Sequence, residues 1–243
     1  MLGKIRSNVI FKKIMKLITC YKKLKIINYN KNIQKRIDIN INDYKEFSEK
    51  FSSIELEIIP MENGLGKIIN IKEEDKEFYH IYFNDNKEKE IKSIYLYKND
   101  KVSKINIIID YQIKSFRFLF FDCKCIESIK FKKFYRNNIT NMYGMFFGCL
   151  SLKEIDFSNF NTENVTDMNS MFVFCSSIKK LDLSSFNTKN VIDMGYMFGE
   201  CSSLKILNLN NFNASNVTNM SHIFKGCSSI ISIKISNKLF NYF

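Results

Sequence analysis

The sequence predicts an α/β fold in which about five 26-residue coils stack into a solenoid, preceded by a helical segment and a small β-rich cap. Two observations predict this fold. One set of apolar residues returns every 26 positions in the C-terminal half, and each period contains both a helical and a strand-like pattern. A single unit of this length cannot bury its own apolar face, whereas stacked units can. We therefore divide the chain into residues 1–50, 51–112 and 113–243.

Residues 1–50 are predicted to form a basic amphipathic helical segment. They carry a net charge of +9, out of +12 for the whole chain, and apolar side chains from Val9 to Leu24 recur at helical spacing. A lysine-rich face in contact with solvent is one interpretation, and contact with an anionic membrane is the other. The chain has no apolar run near the roughly 18 residues of a transmembrane helix, and its start lacks a signal peptide. We therefore expect a cytoplasmic protein.

Residues 51–112 are predicted to form a β-rich cap. Apolar and polar side chains alternate between short clusters of Asn, Asp, Glu and Gly, which indicates strands separated by turns. The predicted strands are 52–59, 67–72, 78–84, 90–97 and 103–110. Because the first coil of a stacked array exposes an apolar surface, we expect this unit to cover it.

The 26-residue period is clearest in the cysteines and phenylalanines of residues 113–243. The columns with constant spacing include Cys123, Cys149, Cys175, Cys201 and Cys227, and also Phe146, Phe172, Phe198 and Phe224. Within one unit, residues 165–172 have helical spacing and residues 152–158 alternate as a strand does. Each unit is therefore expected to contain a helical turn and a short strand, with the strands lining one face in parallel.

The cysteine column allows more than one interpretation. Neighbouring coils lie about 5 Å apart, so adjacent thiols come near the distance of a disulfide bond. No second Cys-x-x-Cys pair or nearby histidine completes a zinc site. A ladder of small buried thiols at a tight corner is the simpler interpretation. Two asparagine columns are expected to bond the backbone of the next coil: Asn161, Asn187 and Asn213, and Asn164, Asn190 and Asn216.

The repeat consensus, Asn-Val-Thr-x-Met-x-x-Met-Phe-x-x-Cys-Ser-Ser-Leu, resembles the BspA-like leucine-rich repeat family, which also occurs as a repeat in mycoplasma surface lipoproteins. The resemblance covers residues 113–238, about half of the chain. It implies a curved leucine-rich-repeat-type solenoid that acts in adhesion or protein binding, often at a cell surface. Residues 1–112 lie outside the resemblance.

The sequence indicates a binding protein rather than an enzyme. No Ser/His/Asp set, Cys/His set or carboxylate pair has a spacing suited to catalysis, and no nucleotide loop, cofactor site, metal site or nucleic-acid motif is found. The outward strand positions vary between repeats while the apolar columns do not. This contrast predicts that a protein partner binds the concave strand face. The predicted partner-binding residues are Lys130, Lys132, Glu154, Asp156, Ser158, Lys180, Asp182, Ser184, Asn208, Asn210 and Lys234.

Other functions remain open at this point. A surface adhesin that binds host or extracellular ligands is implied by the family resemblance. An intracellular adaptor that recruits a partner or an anionic membrane through residues 1–50 is suggested by their charge. An ordinary solvated strand surface is the alternative for any single residue of the predicted face. Residues 238–243 contain Leu239, Phe240, Tyr242 and Phe243, and an uncapped last coil would favour self-association.

Overall fold

The computed structural model describes residues 49–235. The chain divides into two compact units, residues 1–51 and residues 52–243. Of the first unit only residues 49–51 are described, and they are helical. The predicted basic helical segment at 1–50 therefore lies almost entirely outside the described residues, and residues 238–243 lie entirely outside them.

The predicted α/β fold, a leucine-rich-repeat-type solenoid of stacked coils, is wrong. The described part of the chain is built mainly from β-strands and turns, with one 3-10 helix at Glu73–Phe78. Its strands do not line a single continuous parallel face. They form a six-stranded sheet with antiparallel and parallel pairs, a separate three-stranded parallel sheet and a two-stranded antiparallel sheet.

The error in the helical prediction has a local cause at residues 165–172. The backbone N–H groups of Met168, Ser170 and Phe172 donate to carbonyl oxygens of the following repeat at 2.8–2.9 Å, and so are not available for a helix. Ser170 adopts a left-handed conformation with φ of 57°, which a continuous right-handed helix excludes. The helical spacing of apolar residues therefore marks a series of tight turns.

Eleven strands are described. They are β1 (Ile54–Pro60), β2 (Gly66–Lys67), β3 (Tyr79–Phe83), β4 (Glu90–Ile91), β5 (Tyr95–Leu96), β6 (Ile105–Ile109), β7 (Ile126–Lys133), β8 (Glu154–Asp156), β9 (Lys180–Asp182), β10 (Ile206–Leu209) and β11 (Ser232–Ile235). The six-stranded sheet has the order β4-β3-β6-β1-β7-β8, and the three-stranded sheet has the order β11-β10-β9.

Strand β1 joins the β-rich region to the repeats. It pairs antiparallel with β6 on one side and with β7 on the other. Its alternating residues Ile54, Leu56 and Ile58 are at most 1% exposed, as the apolar alternation of the segment requires. The sheet thus crosses the predicted boundary near residue 112, although the division into three domains otherwise stays a prediction.

A buried arginine fastens the turn after β6 to the end of the first repeat. The Nη1 atom of Arg136 donates to the carbonyl oxygens of Asp110 and Ile113 at 2.9 and 3.1 Å. Burial lowers the pKa of this guanidinium to about 10, so it stays protonated at neutral pH. Arg136 precedes Thr162 and Thr188 in one 26-residue column, and both threonine hydroxyls donate to carbonyl oxygens of the next repeat at 3.0 Å.

The 26-residue period appears in the structure as direct contact between equivalent residues. Parallel bridges join Ser115, Asn141, Asp167, Asp193 and Asn219 in succession. The rings of the phenylalanine column stack with centroid separations of 5.4–5.8 Å; its members are Phe120, Phe146, Phe172, Phe198 and Phe224. The inner members of the column, Phe146, Phe172 and Phe198, are thus each covered by their equivalents in the repeats before and after.

Each repeat makes two left-handed turns at equivalent positions. The first column of positive-φ residues is Phe118, Gly144, Ser170, Tyr196 and His222, and the second is Asp122, Gly148, Phe174, Glu200 and Gly226. At Gly148 an added side chain would also displace a side chain of the neighbouring repeat. A Cβ atom on Gly148 would lie 2.4 Å from the Oδ1 atom of Asp122. The left-handed turns therefore recur every 26 residues and are not confined to one repeat.

Candidate binding surface on the strand face

The strand face consists of the outward side chains of β7 to β11 and of the turns that follow them. Along these strands the inward residues Ile129, Phe131, Leu181, Leu207 and Leu209 are buried. The predicted binding residues Lys130, Lys132, Glu154, Ser158, Lys180, Asp182, Asn210 and Lys234 are exposed, and Asp156, Ser184 and Asn208 are half-buried. The structure therefore places all eleven predicted residues on or beside one face of the strands.

The first strand of this face is held by ion pairs within the chain. Lys132 contacts Glu57 on β1, and Lys130 contacts Asp156 on β8 at 3.1 Å. The hydrogen bond from Lys132 is the main reason that the pKa of Glu57 is lowered. Because Lys130 and Lys132 have partners inside the chain, they are weaker candidates for binding a ligand than the later lysines.

The acidic residues of the face close the turns after their strands. Asp156 accepts a hydrogen bond from the backbone N–H of Ser158 at 2.9 Å, and Asp182 accepts one from the backbone N–H of Ser184 at 3.0 Å. These serine hydrogen bonds are the main reason that the pKa of each carboxyl is lowered, so both are ionised at neutral pH. Sequence reasoning missed this role, although the recurring Asp-x-Ser pattern is typical of such turns.

Asn208 and Asn210 repeat the same turn one repeat later. The Oδ1 atom of Asn208 accepts from the backbone N–H of Asn210 at 3.2 Å, and its Nδ2 atom donates to Asp182 at 3.0 Å. Because Asn208 carries an amide where the earlier repeats carry a carboxylate, it can donate a hydrogen bond to Asp182 on the neighbouring strand. These side chains therefore serve the fold as well as the surface.

Strand pairing is interrupted between β8 and β9, and we call this interruption the lapse. Strand β8 ends one sheet and β9 ends another, and no strand pairing joins them among the described residues. Two serine hydroxyls bridge the repeats on either side of the lapse: Ser177 donates to the carbonyl of Leu150 at 2.6 Å, and Ser185 donates to the carbonyl of Phe157 at 2.9 Å. The apolar core stays continuous beneath, since Phe160 stacks on Phe186 at 5.3 Å.

A groove of about 700 Å³ lies at this lapse, and we call it the β8–β9 groove. Its lining residues are Lys153, Glu154, Ile155, Asp156, Ser177, Lys179, Lys180, Asp182 and Ser203. The structure thus brings together four of the predicted residues, Glu154, Asp156, Lys180 and Asp182. It adds Lys153 and Lys179, which sequence reasoning missed because they precede the strands.

The cysteine column packs as a ladder of free thiols. The Sγ atoms of Cys149, Cys175, Cys201 and Cys227 each donate to a phenylalanine carbonyl of the preceding repeat at 2.9–3.2 Å. Burial raises the pKa of these thiols, which disfavours the reactive thiolate. Among residues 49–235, no group of three or more His, Cys, Asp or Glu side chains is placed to hold a metal ion.

The two asparagine columns differ in their bonding. Asn164, Asn190 and Asn216 donate from Nδ2 to a carbonyl of the preceding repeat at 2.7–2.8 Å. Asn161, Asn187 and Asn213 accept from the backbone N–H two residues on, at 2.9–3.2 Å. The first column links repeats, and the second closes a local turn.

A comparison with known protein families identifies the family to which these repeats belong. Residues 114–237 match the family described as Mycoplasma protein of unknown function, DUF285. The chain belongs to this family, which confirms a mycoplasma-type repeat family over the C-terminal half. A search of curated proteins and a search of solved structures each found no match. In the part of the chain that the structure describes, no helix is long and apolar enough to span a membrane.

Proposed function

We propose that this protein is a non-catalytic scaffold that binds a macromolecular partner, most plainly another protein, on the strand face. One observation carries the proposal. Equivalent inward residues of successive repeats stay apolar and are buried or half-buried, while the outward residues on the same strands differ in charge and are exposed or half-buried. Core packing accounts for the inward residues, whereas the outward residues are free to contact a partner.

The variation is greatest where the face has fewest internal contacts. Glu154 and Lys180 occupy equivalent positions in successive repeats, both are exposed, and neither forms an ion pair or side-chain hydrogen bond among the described residues. Opposite charges on a rigid frame suit a partner that is itself polar and of defined shape. As part of this proposal, the protein is cytoplasmic and its repeats are of the BspA-like kind.

The test is a charge exchange that keeps the net charge constant. The double variant Glu154→Lys with Lys180→Glu alters only the strand face. The matched control is Glu163→Lys with Lys189→Glu, because these two residues are also exposed and also occupy equivalent positions in the same two repeats. The full chain and both variants are used to capture partners from cells that express the protein, and any captured partner is then purified.

The deciding measurement is the dissociation constant for the purified partner, determined by calorimetry. We expect the control to match the unaltered chain within about twofold and the strand-face exchange to bind about tenfold more weakly, as expected when rim charges are reversed. Equal affinity for all three proteins would refute the strand-face proposal.

A further inference from the structure

The lysines of the strand face differ in whether the chain itself neutralises them. In the first two repeats, Lys130 contacts Asp156 at 3.1 Å and Lys153 contacts Glu127 at 2.9 Å. The later lysines are exposed, and among the described residues none of them has an ion-pair or side-chain hydrogen-bond partner: Lys179, Lys180, Lys205 and Lys234. The strand face at β9 to β11 therefore carries cations that the described part of the chain leaves without a contacting carboxylate.

Two exposed isoleucines lie among these lysines. Ile206 on β10 is 40% exposed, and it is the register partner of Lys180 on β9. Ile231 directly precedes β11 and is 78% exposed, and its backbone N–H donates to the carbonyl oxygen of Lys205 at 2.9 Å. We call the four lysines and these two isoleucines the basic end of the strand face.

The repeat itself does not require these residues. The positions equivalent to Ile206 and Ile231 are polar or charged in every other repeat. Their residues are Ser128, Glu154, Lys180 and Ser232 for the first, and Glu127, Lys153, Lys179 and Lys205 for the second. Lys205 also donates its backbone N–H to the carbonyl oxygen of Lys179 at 2.8 Å, so that two like charges adjoin, which disfavours strand pairing. Exposed aliphatic side chains beside charges without partners are expected where another molecule covers them.

The carboxyls near these lysines do not balance their charge. Asp182 on β9 accepts hydrogen bonds from Ser184 and Asn208, and the charge of Lys180 contributes further to its lowered pKa. Four lysines and this aspartate give a net charge of +3, which stays positive when Glu154 at the border on β8 is included. The electrostatic complement of the basic end is therefore a partner with clustered carboxylates.

We propose that the basic end of the strand face binds an acidic segment of a partner protein that combines clustered carboxylates with aliphatic side chains. This inference rests on the proposed strand-face function and names the chemistry of its partner. The carboxylates contact the four lysines, and the aliphatic side chains pack on Ile206 and Ile231. The outward residues of β9 to β11 include no aromatic side chain, so this surface lacks the base stacking typical of sites for single-stranded nucleic acid.

The test is an NMR titration of the full chain with synthetic peptides, in which isoleucine methyl signals report both affinity and location. The probe peptide is Gly-Asp-Leu-Glu-Asp-Leu-Glu-Gly. One control peptide has serine in place of both leucines, and the other has asparagine and glutamine in place of the acidic residues. We expect the probe to bind about threefold more tightly than the first control and about tenfold more tightly than the second. The methyl signals of Ile206 and Ile231 should shift, and that of Ile192 should not. Equal binding of the three peptides would overturn the inference.

Protein variants locate the site independently. Lys205→Glu reverses one charge of the basic end, and Lys189→Glu makes the same change on an exposed residue outside the strand face. Ile206→Ser removes one aliphatic contact, and its matched control is Ile192→Ser, because Ile192 is 49% exposed and lies outside the strands. We expect about tenfold weaker probe binding for Lys205→Glu and about threefold for Ile206→Ser, with both controls within about twofold of the unaltered chain.

The two kinds of contact are separated by the peptide without leucine. Ile206→Ser should leave its affinity unchanged, since that peptide has no aliphatic side chain to lose a contact. Unchanged probe affinity in folded Lys205→Glu, checked by circular dichroism, would rule out the site. Binding of a single-stranded oligonucleotide or of phosphatidylglycerol vesicles that depends on Lys205 and is tighter than that of the probe would also overturn the inference, because the ligand would then be an anion of another class.

The peptide assay and the partner assay fail separately. If the purified partner loses affinity on exchange of Glu154 and Lys180 but the probe binds no more tightly than its controls, only the inference of an acidic segment is overturned. If partner binding is unaffected by the exchange, the strand-face function itself is refuted.

Discussion

The side chain of Phe172 is the best place to measure how much the stacked core contributes to stability. It is fully buried, and its ring lies 5.4 Å from that of Phe146 and 5.8 Å from that of Phe198, with an edge contact to Phe157 at 6.1 Å. Phe172→Ala removes both stacked contacts and leaves a cavity that two neighbouring repeats share. Substitutions of this kind cost about 3–5 kcal/mol, and the rigid stacking on both sides places the expected loss in that range.

The matched control is Phe174→Ala, two residues further along the same repeat. Phe174 is 44% exposed and has one described ring contact, with Phe147 at 5.6 Å. Its φ of 60° is unfavourable for alanine as well as for phenylalanine, so that strain cancels in the comparison. We expect a loss of no more than about 1 kcal/mol.

The assay is urea unfolding of the full chain, followed by far-ultraviolet circular dichroism because the chain contains no tryptophan. The free energy of unfolding should fall several-fold more for Phe172→Ala than for Phe174→Ala. Equal losses for the two variants would refute the argument that the phenylalanine column is the shared core of successive repeats.

Three further predictions follow from the turns, the thiols and the strand-face carboxyls. Gly148→Ala should destabilise the chain by about 1 kcal/mol or more in urea unfolding, because the φ of Gly148 is +75° and an added Cβ would meet Asp122. Gly199→Ala should have a smaller effect. The reverse order of the two losses would contradict the turn geometry. Cys175 and Cys201 should resist Ellman's reagent at pH 8 until the chain is unfolded, since burial raises the pKa of both thiols; rapid labelling of either in the native chain would be inconsistent with the thiol ladder. The pKa values of Asp156 and Asp182 are lowered in the folded chain, so these carboxylates contribute stability above the ordinary pKa of 3.8, and this stability is lost as the pH falls through the lower folded values. The double variant Asp156→Asn with Asp182→Asn should therefore lose less stability than the unaltered chain as the pH falls below about 4. An unchanged pH profile would argue against these hydrogen bonds.

The period of the fold was predictable from the sequence, but the conformation within each period was not. The constant spacing of Cys149, Cys175 and Cys201 indicated that equivalent residues meet, and the backbone and ring contacts show that they do. The apolar spacing at 165–172 also fits a helix, and nothing in that spacing reveals that alternate N–H groups bond to the next repeat. Left-handed residues such as Ser170 and Phe174 carry no strong sequence signal, because neither is glycine.

The outward residues of the strand face were predictable from alternation, whereas the groove was not. The groove lies where strand pairing is interrupted between β8 and β9, and neither the alternation nor the 26-residue period reveals that interruption. Lys179 was overlooked because it precedes β9, and strand alternation alone does not bring it to the outer face.

The central claim is that a partner binds the strand face, and site-specific photo-crosslinking tests it most directly. A photo-reactive phenylalanine derivative is placed at the position of Lys180 in one sample and of Lys189 in another, in the full chain bound to its purified partner. Both residues are exposed in the same repeat, but only Lys180 belongs to the strand face. We predict a covalent adduct from position 180 and none from position 189. An adduct from position 189 alone, or equal yields from both positions, would contradict the proposed binding surface.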